Sequence, residues 1–310
     1  LPVLALPSVG CAEPWFVRPS RPAAYGQGDG SSFADAWNGL DEIDWKRLRP
    51  GQTLYVCGTH VGQPLEIEAS GETGKRVVIR GDWPDHPGAI LGASAVFTDG
   101  WAPHDRQRNV WKRSFEKPAQ YSGFHAFARP TDAHPVKGLV RLHNVGRRED
   151  AGTEVKGDFA KWKPGTYYFD ERAGTLYFKP PKSDYVYYAG YEPAVVRSVH
   201  QHHFDLRNLT VMMGGGSKNR GIVELRSADH ATVDGLTVRW GSLGIVFAPN
   251  WADRHAEGRE SENVTVSNCE VYDCRCGIYP NGCVKNCRIV GNHVHDIGQH
   301  DDLIAFRDES

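Results

Sequence analysis

From residue 204 onward, apolar and polar positions recur in short blocks: FDLRNLTVMMGGG, HATVDGLTVRWGS, NVTVSNCEVYDC and NCRIVGNHVHDIG. Each block pairs two β-rich runs around a bend. Three are followed by Gly-Ile, at Gly221-Ile222, Gly244-Ile245 and Gly277-Ile278. Aligning the blocks puts Val211, Val238, Val271 and Val294 in one column. Leu206, Val233, Val266 and Ile289 form a second, and Leu209, Leu236, Cys269 and Asn292 a third. The offsets are 27, 33 and 23 residues, the largest explained by the insertion around NWADRHAEGRE. Recurring apolar columns at this period predict strands stacked coil on coil, each burying its inward side chain against the same position above and below. The residues flanking each valine then point outward. A βαβ sheet requires helical segments of ten or more residues between strands, and the pattern contains none. The expected fold class is therefore all-β, a parallel solenoid.

These residues carry a resemblance. The span 204–306 resembles the right-handed parallel β-helix of the pectin-lyase-like superfamily, and NHVHDIGQHDDLIAF is similar to its generic coil of inward Asn, His-Asp bend and Asp-Gly-Ile-type strand. The N-terminal FVRPSRPAAYGQGDGSSFADAWNGL and RPGQTLYVCGTHVGQPLEIEASGETGKRVVIRG resemble the cap and first coil of extracellular β-helix proteins. There a short helix, here near Phe33–Leu40, plugs the open core and protects strand edges. Residues 95–195 interrupt the coils and hold Trp101, Trp111 and Trp162. Within them, PGTYYFDERAGTLYFKPP reads as a hairpin whose arms are Tyr167-Tyr168-Phe169 and Leu176-Tyr177-Phe178, around a turn with Asp170 and Gly174. Similar insertions occur in β-helix glycoside hydrolases acting on xylosides and fucosides. The resulting division is 1–12 as a signal-peptide remnant, 13–94 as cap and first coils, 95–195 as an inserted β-rich segment, and 196–310 as coils. The superfamily hosts lyases, hydrolases, epimerases and non-catalytic adhesins, so the resemblance implies a fold more sharply than an activity.

Composition narrows the class. The 310 residues include 34 Gly, 19 Pro and only 2 Met, which suits turn-rich β structure. With 36 Lys plus Arg against 38 Asp plus Glu, the net charge of −2 gives no support to a nucleic-acid or anionic-membrane partner. No run of 18 apolar residues is present to cross a membrane as a helix. LPVLALPSVGCA reads as the tail of a secretory signal cut before Glu13, with Cys11 as a lipoprotein cysteine in the second reading. Secretion or another extracytoplasmic location is therefore expected. The apolar start and the end at FRDES lead us to expect a piece of a longer protein. The seven cysteines, Cys11, Cys57, Cys269, Cys274, Cys276, Cys283 and Cys287, match no zinc or iron–sulfur spacing. Packing is their expected role, with one or two disulfides compatible with export.

Candidate chemistry lies on outward columns. Thr210, Thr237, Glu270 and His293 form one, and Met212, Arg239, Tyr272 and His295 the next. An Arg, a Glu, a Tyr and two His on neighbouring coils suit binding of an extended polysaccharide, neutralisation of a uronate, and proton transfer. A solvated sheet face accounts for the same letters. The second candidate is His300-Asp301-Asp302. DDLIA is similar to the DD-x-[VI]-A motif of polygalacturonases, whose paired aspartates hydrolyse a glycosidic bond with inversion. Close carboxylates raise one another's pKa and leave one protonated as general acid. The upstream Asn-Thr-Asp motif of that family is missing, and an Asp-rich turn explains the same residues. The expected roles are catalysis by Asp301 and Asp302 assisted by His300 and His295, and substrate binding by Arg239, Tyr272, Glu270 and His293. Calcium is the expected metal if there is one, with oxygens from Asp273, Asp296, Asp301 and Asp302. Asp273 and Asp296 share one bend, which favours turn capping. His293 and His295 are placed to share zinc, without an evident third ligand. His202-His203 reads as structural. Together these point to glycoside hydrolase over polysaccharide lyase, with a non-catalytic glycan-binding or surface protein as the rival.

Overall fold

The computed structural model describes residues 13–92, 95–97, 99–116, 125–133, 136–137, 139–144, 159–170, 172–180, 185–190, 194–214, 220–250, 260–282 and 284–298. His300, Asp301 and Asp302 lie outside them, as do Cys11 and Cys283. The described chain is all-β apart from two three-residue 3-10 turns.

Three parallel sheets form the frame. Sheet I has eight strands, from Trp37–Asn38 and Trp15–Arg18 through Thr53–Val56, Val77–Arg80, Phe204–Arg207, Thr232–Asp234 and Thr265–Ser267 to Arg288–Val290. Sheet II stacks Thr59–Val61, Ala89–Leu91, Thr210–Met212, Thr237–Arg239, Glu270–Tyr272 and His293–His295. Sheet III stacks Leu65–Ile67, Val196–Val199, Gly221–Arg226, Leu243–Ala248 and Cys276–Pro280. The chain visits I, II and III in turn, so each circuit lays one strand on each sheet.

The registers are those of the apolar columns. Leu206, Val233, Val266 and Ile289 pair in sheet I, and Val211, Val238, Val271 and Val294 in sheet II. Except for Ile289 and Val294, which are exposed on the last described coil, they fill one core between the sheets together with Leu65, Val196, Val223, Ile245 and Phe247 of sheet III. In sheet III, Ile245 stacks on Ile278, but the partner of Ile245 in the preceding coil is Val223. The first Gly-Ile pair is therefore displaced by one residue from the other two. Ile222 and Val223 nevertheless both lie in the core between the sheets.

Single left-handed residues make the corners. Between sheets I and II these are Asn208, Gly235, Asn268 and Gly291, with φ of 53, 66, 52 and 67°. Asn tolerates this region because its short side chain bonds locally, and Gly because it lacks Cβ. The Asn268 amide donates to Asp234 one coil back, at 2.8 Å. After sheet II the corner column is Met213, Trp240, Asp273 and Asp296, with φ of 69, 64, 52 and 49°. Asn292, in the inward column of Leu209, Leu236 and Cys269, replaces apolar packing by bonds to the adjacent coil. Its amide donates to the Val266 carbonyl and its oxygen accepts from the Cys269 N–H, both at 2.9 Å.

The Phe33–Leu40 helix expected at the N-terminal end is not formed. Side-chain bonds hold the backbone in a non-helical path there. Asp35 accepts from the Gln27 N–H at 2.9 Å and from the Ser32 hydroxyl at 2.7 Å, and Gly39 has a φ of 121°. Trp37, Leu40, Ile43 and Leu48 join the core, and Trp37 stacks on Trp15 with ring centroids 5.4 Å apart.

Between sheet II strand Ala89–Leu91 and sheet III strand Val196–Val199 the chain leaves the coils and builds two further sheets. One runs in the order Val140–Arg141, His125–Pro130, Tyr185–Gly190, Ala95–Phe97, and is antiparallel. The other has five strands, and its centre is the antiparallel hairpin Thr166–Asp170 and Thr175–Lys179. Asp170 caps the turn by accepting from the N–H groups of Arg172 and Ala173, each at 3.0 Å. Phe97, Phe115, Tyr167, Phe169, Leu176 and Phe178 pack between these two sheets. The opposite face of the four-stranded sheet presents Phe127 and Tyr188. With Leu139 they pack on Ala89, Leu91, Met212, Met213 and Trp240, the outward and corner residues of the early coils of sheet II. Val196 then pairs with Leu65, so the coil resumes in register.

Candidate functional site

The outer face of sheet II carries two side-chain columns, because alternate residues of each strand point outward. One runs Ala89, Thr210, Thr237, Glu270, His293, and the other Leu91, Met212, Arg239, Tyr272, His295. The antiparallel segment covers the first part of both. Met212 is buried beneath it, whereas Glu270 and His293 are exposed and Tyr272 and His295 half-exposed. Arg239 stands at the boundary. Its guanidinium lies 3.7 Å from the centre of the buried Trp240 ring, donates to the Tyr272 hydroxyl at 3.2 Å, and reaches the Val136 carbonyl at 3.4 Å. It joins the cover to the open surface.

Beyond Arg239 the side chains gather tightly. The Tyr272 and His295 rings stack 4.9 Å apart at 7°, and the His293 and His295 rings lie 4.3 Å apart. Asp296 sits at the left-handed corner directly after His295, and its carboxylate accepts from His295 Nδ1 at 2.8 Å. The other nitrogen, Nε2, faces Glu270 Oε1 at 3.7 Å. The Asp296 hydrogen bond first, then the charges of Asp296 and Glu270, hold the His295 imidazole above its ordinary pKa. The registers thus bring Arg239, Tyr272, Glu270, His293 and His295 onto one face. They also supply the third ligand that His293 and His295 lack in sequence. One donor atom from each of Glu270, His293 and His295 lies within 4.8 Å of the others. This is the one such group among the described residues. Asp273 and Asp296 occupy the same corner of successive coils, and Asp301 and Asp302 lie outside the described residues.

Among the buried ionisable groups that escaped the sequence pattern are His60 and Glu224. His60 is the inward residue of Thr59–Val61, stacked under Ile90, and is fully buried. Burial pushes its imidazole down to about 4, with a weaker opposing pull from the Cys57 backbone. Only its register, shared with the valine column through Ile90, distinguishes it from a surface histidine. Glu224 is a second. It is buried outside sheet III and held by Arg220 at 2.8 Å, Arg226 at 3.1 Å and the Gly221 N–H at 2.9 Å. All its contacts are satisfied by its own strand and the residue before it, which makes it a local structural brace. The described thiols Cys57, Cys269, Cys274, Cys276 and Cys287 are free. Burial pushes Cys269 to about 11 and Cys274 to about 12, which keeps both protonated and inert at neutral pH.

No family model and no curated protein matches the chain. Solved structures do match it. A complex of XylC with xylose aligns with a TM-score of 0.61 at 12% identity, over 92% of this chain and 54% of that one. A protein described as a glycoside hydrolase aligns with a TM-score of 0.50 at 10% identity, over 92% of this chain and 84% of that one. This chain thus spans about half the length of the XylC chain. At such identities the likeness shows a shared fold, and the parallel-sheet architecture belongs to that fold.

Proposed function

We propose that the chain is a right-handed parallel β-helix of the pectin-lyase-like kind that acts on a polysaccharide or oligosaccharide at the outer face of sheet II. The single observation that carries this reading is the step at Arg239. On one side the face is sealed by Phe127, Leu139 and Tyr188; on the other, Glu270 and His293 are exposed and the stacked Tyr272 and His295 rings half-exposed, with the half-buried Arg239 guanidinium between. Sugar rings offer apolar C–H faces and a rim of hydroxyls, so parallel ring edges beside charged hydrogen-bonding groups suit them. Rungs about 4.8 Å apart suit an extended chain of sugars. The fold shared with the xylose complex and with the protein described as a glycoside hydrolase supports the same substrate class.

Hydrolysis is the reading we favour over β-elimination. Asp301 and Asp302 follow His295 closely in the chain and are the proposed acid and base, with His300 and His295 assisting. One observation favours glycan binding without cleavage as the second reading: the carboxylates of Glu270 and Asp296 both face His295. That engagement leaves neither carboxylate of the open face free to act as acid or base.

A product assay on plant, algal and bacterial polysaccharides separates the readings. New reducing ends without the ultraviolet absorbance of an unsaturated uronate are expected, and they disappear in Asp302→Asn. Absorbance shifts the chemistry to Arg239, Tyr272 and His295. Retention on a glycan array without either product signal establishes the binding protein, and silence in all three assays defeats the glycan reading.

A further inference from the structure

We infer that Glu270, His293 and His295 form a binding site for a divalent transition-metal ion, zinc above all. The inference goes beyond the glycan reading and is read from the metal alone. The backbone dictates the arrangement. His293 and His295 are two apart on one strand and so share a face, and Glu270 is directly opposite His293 on the adjacent strand. Their donor atoms lie within 4.8 Å of one another, whereas three donors about 2.1 Å from a tetrahedral zinc stand about 3.4 Å apart. Closing that gap needs only side-chain rotation, and Glu270 and His293 are exposed enough to rotate.

A second, independent feature points to a cation. His295 Nε2 is closed off from solvent and has no hydrogen-bond partner. Nε2 points at the space beside Glu270 Oε1, 3.7 Å away, while Nδ1 faces the Asp296 carboxylate at 2.8 Å; a metal ion entering there would displace the proton from Nε2. A ligating histidine held by a carboxylate on its far nitrogen is the usual outer-shell arrangement around zinc. Two imidazoles and one carboxylate suit zinc and its transition-metal neighbours, whereas calcium takes oxygen ligands. Three protein ligands leave a fourth position open toward solvent, where a hydroxyl or carboxylate of a ligand would enter.

The test is titration of the whole chain with zinc and with cobalt(II), followed by calorimetry and by cobalt absorption. One equivalent is expected to bind, with a cobalt spectrum free of thiolate charge-transfer bands. Glu270→Gln and His293→Ala are each expected to weaken zinc at least ten-fold, while thermal unfolding of the metal-free protein stays put. Asp296→Asn is expected to weaken it by about ten-fold through loss of the outer-shell bond. Three results overturn the site: no binding of either metal, binding that the Glu270 and His293 variants retain, or a thiolate spectrum. Glycan assays enter none of these readouts, so failure of the glycan reading and failure of the metal site are separately visible.

Discussion

The early and late rungs of sheet II share a backbone, a register and an inward column, yet their outer faces are chemically opposite. Under the antiparallel segment the outward column reads Leu91 and Met212, and the corner column Met213 and Trp240. Beyond it the same columns read Tyr272 and His295, and Asp273 and Asp296. Arg239 falls on the rung where the change occurs, and faces both ways. The strand geometry sets where a side chain points, but the neighbour outside the sheet sets what that side chain can be. Even the corners follow: Trp240 and Met213 occupy a left-handed region that costs a bulky residue roughly 1–2 kcal/mol, and both are buried against the cover.

Charging the covered half should break the comparison most severely. Met212→Glu places an unpaired carboxylate beneath Phe127 and Tyr188, and a loss of about 4–5 kcal/mol in urea unfolding is expected. Tyr272→Glu, one column position beyond the boundary, is expected to cost less than about 1 kcal/mol, since that surface is wet. Equal costs at the two positions would contradict the division into dry and open halves.

Loosening the cover comes next. Phe127 is fully buried and tilts against Trp240 with centroids 5.2 Å apart. Phe127→Ala is expected to cost about 3–5 kcal/mol. It should also make the segment between Ala95 and Gly190 cleavable by protease before the coils unfold. Simultaneous cleavage of both would mean that the segment and the coils are one cooperative unit.

The inner face of sheet II supplies a third contrast, because it is dry from His60 through Val271 and still holds an imidazole. An imidazole held near 4 when folded and near 6.5 when unfolded stays neutral in the native state while the unfolded chain takes a proton. Stability is therefore full above about pH 6.5, falls as pH drops toward 4, and levels off below it. Between pH 7 and pH 5 that loss is about 2 kcal/mol. Thermal unfolding at the two pH values should show it in the native chain, and His60→Val should remove most of it. An unchanged pH dependence in the variant would place the acid-sensitive group elsewhere.

The smallest stability effect, and the one most specific to function, is expected from Tyr272→Ala. Its ring is half-exposed, so unfolding should shift by under about 1 kcal/mol. Affinity for the preferred glycan should fall about ten-fold as the stacking plate next to His295 is lost. Undiminished affinity would move the glycan off the open half of sheet II.

The coils were legible in the sequence for the same reason they stack: Val211, Val238 and Val271 meet the same burial problem identically, and Val294 keeps their register on the last described coil. The hairpin was legible too, because two aromatic runs around an Asp-Gly turn need no distant partner. Its destination was not. That Phe127 and Tyr188 face sheet II while Ala126, Ala128 and Ala189 face the hairpin sheet depends on contacts across nearly a hundred residues. The Phe33–Leu40 helix failed because Asp35 is held by the Gln27 N–H and the Ser32 hydroxyl while Trp37–Asn38 pairs as a strand with Val17–Arg18. In the site, the alignment already set Glu270 against His293, but its exposure and its approach to His295 belong to the folded corner at Asp296. Asp301 and Asp302 lie outside the described residues, and their proposed role rests on sequence.

The pairing of Leu65 with Val196 also bears on how the chain can assemble. On a ribosome the first circuits emerge early, but the strand that continues sheet III after Leu65–Ile67 follows only after some 130 further residues. Closing so long a loop costs about 1.5 kcal/mol more than closing one ordinary coil of about 25 residues. If the two antiparallel sheets fold first, they bring the ends of that loop together and remove much of this cost. The intervening segment would then act as a folding clamp as well as a cover, and the order of events would run from the middle of the chain outward.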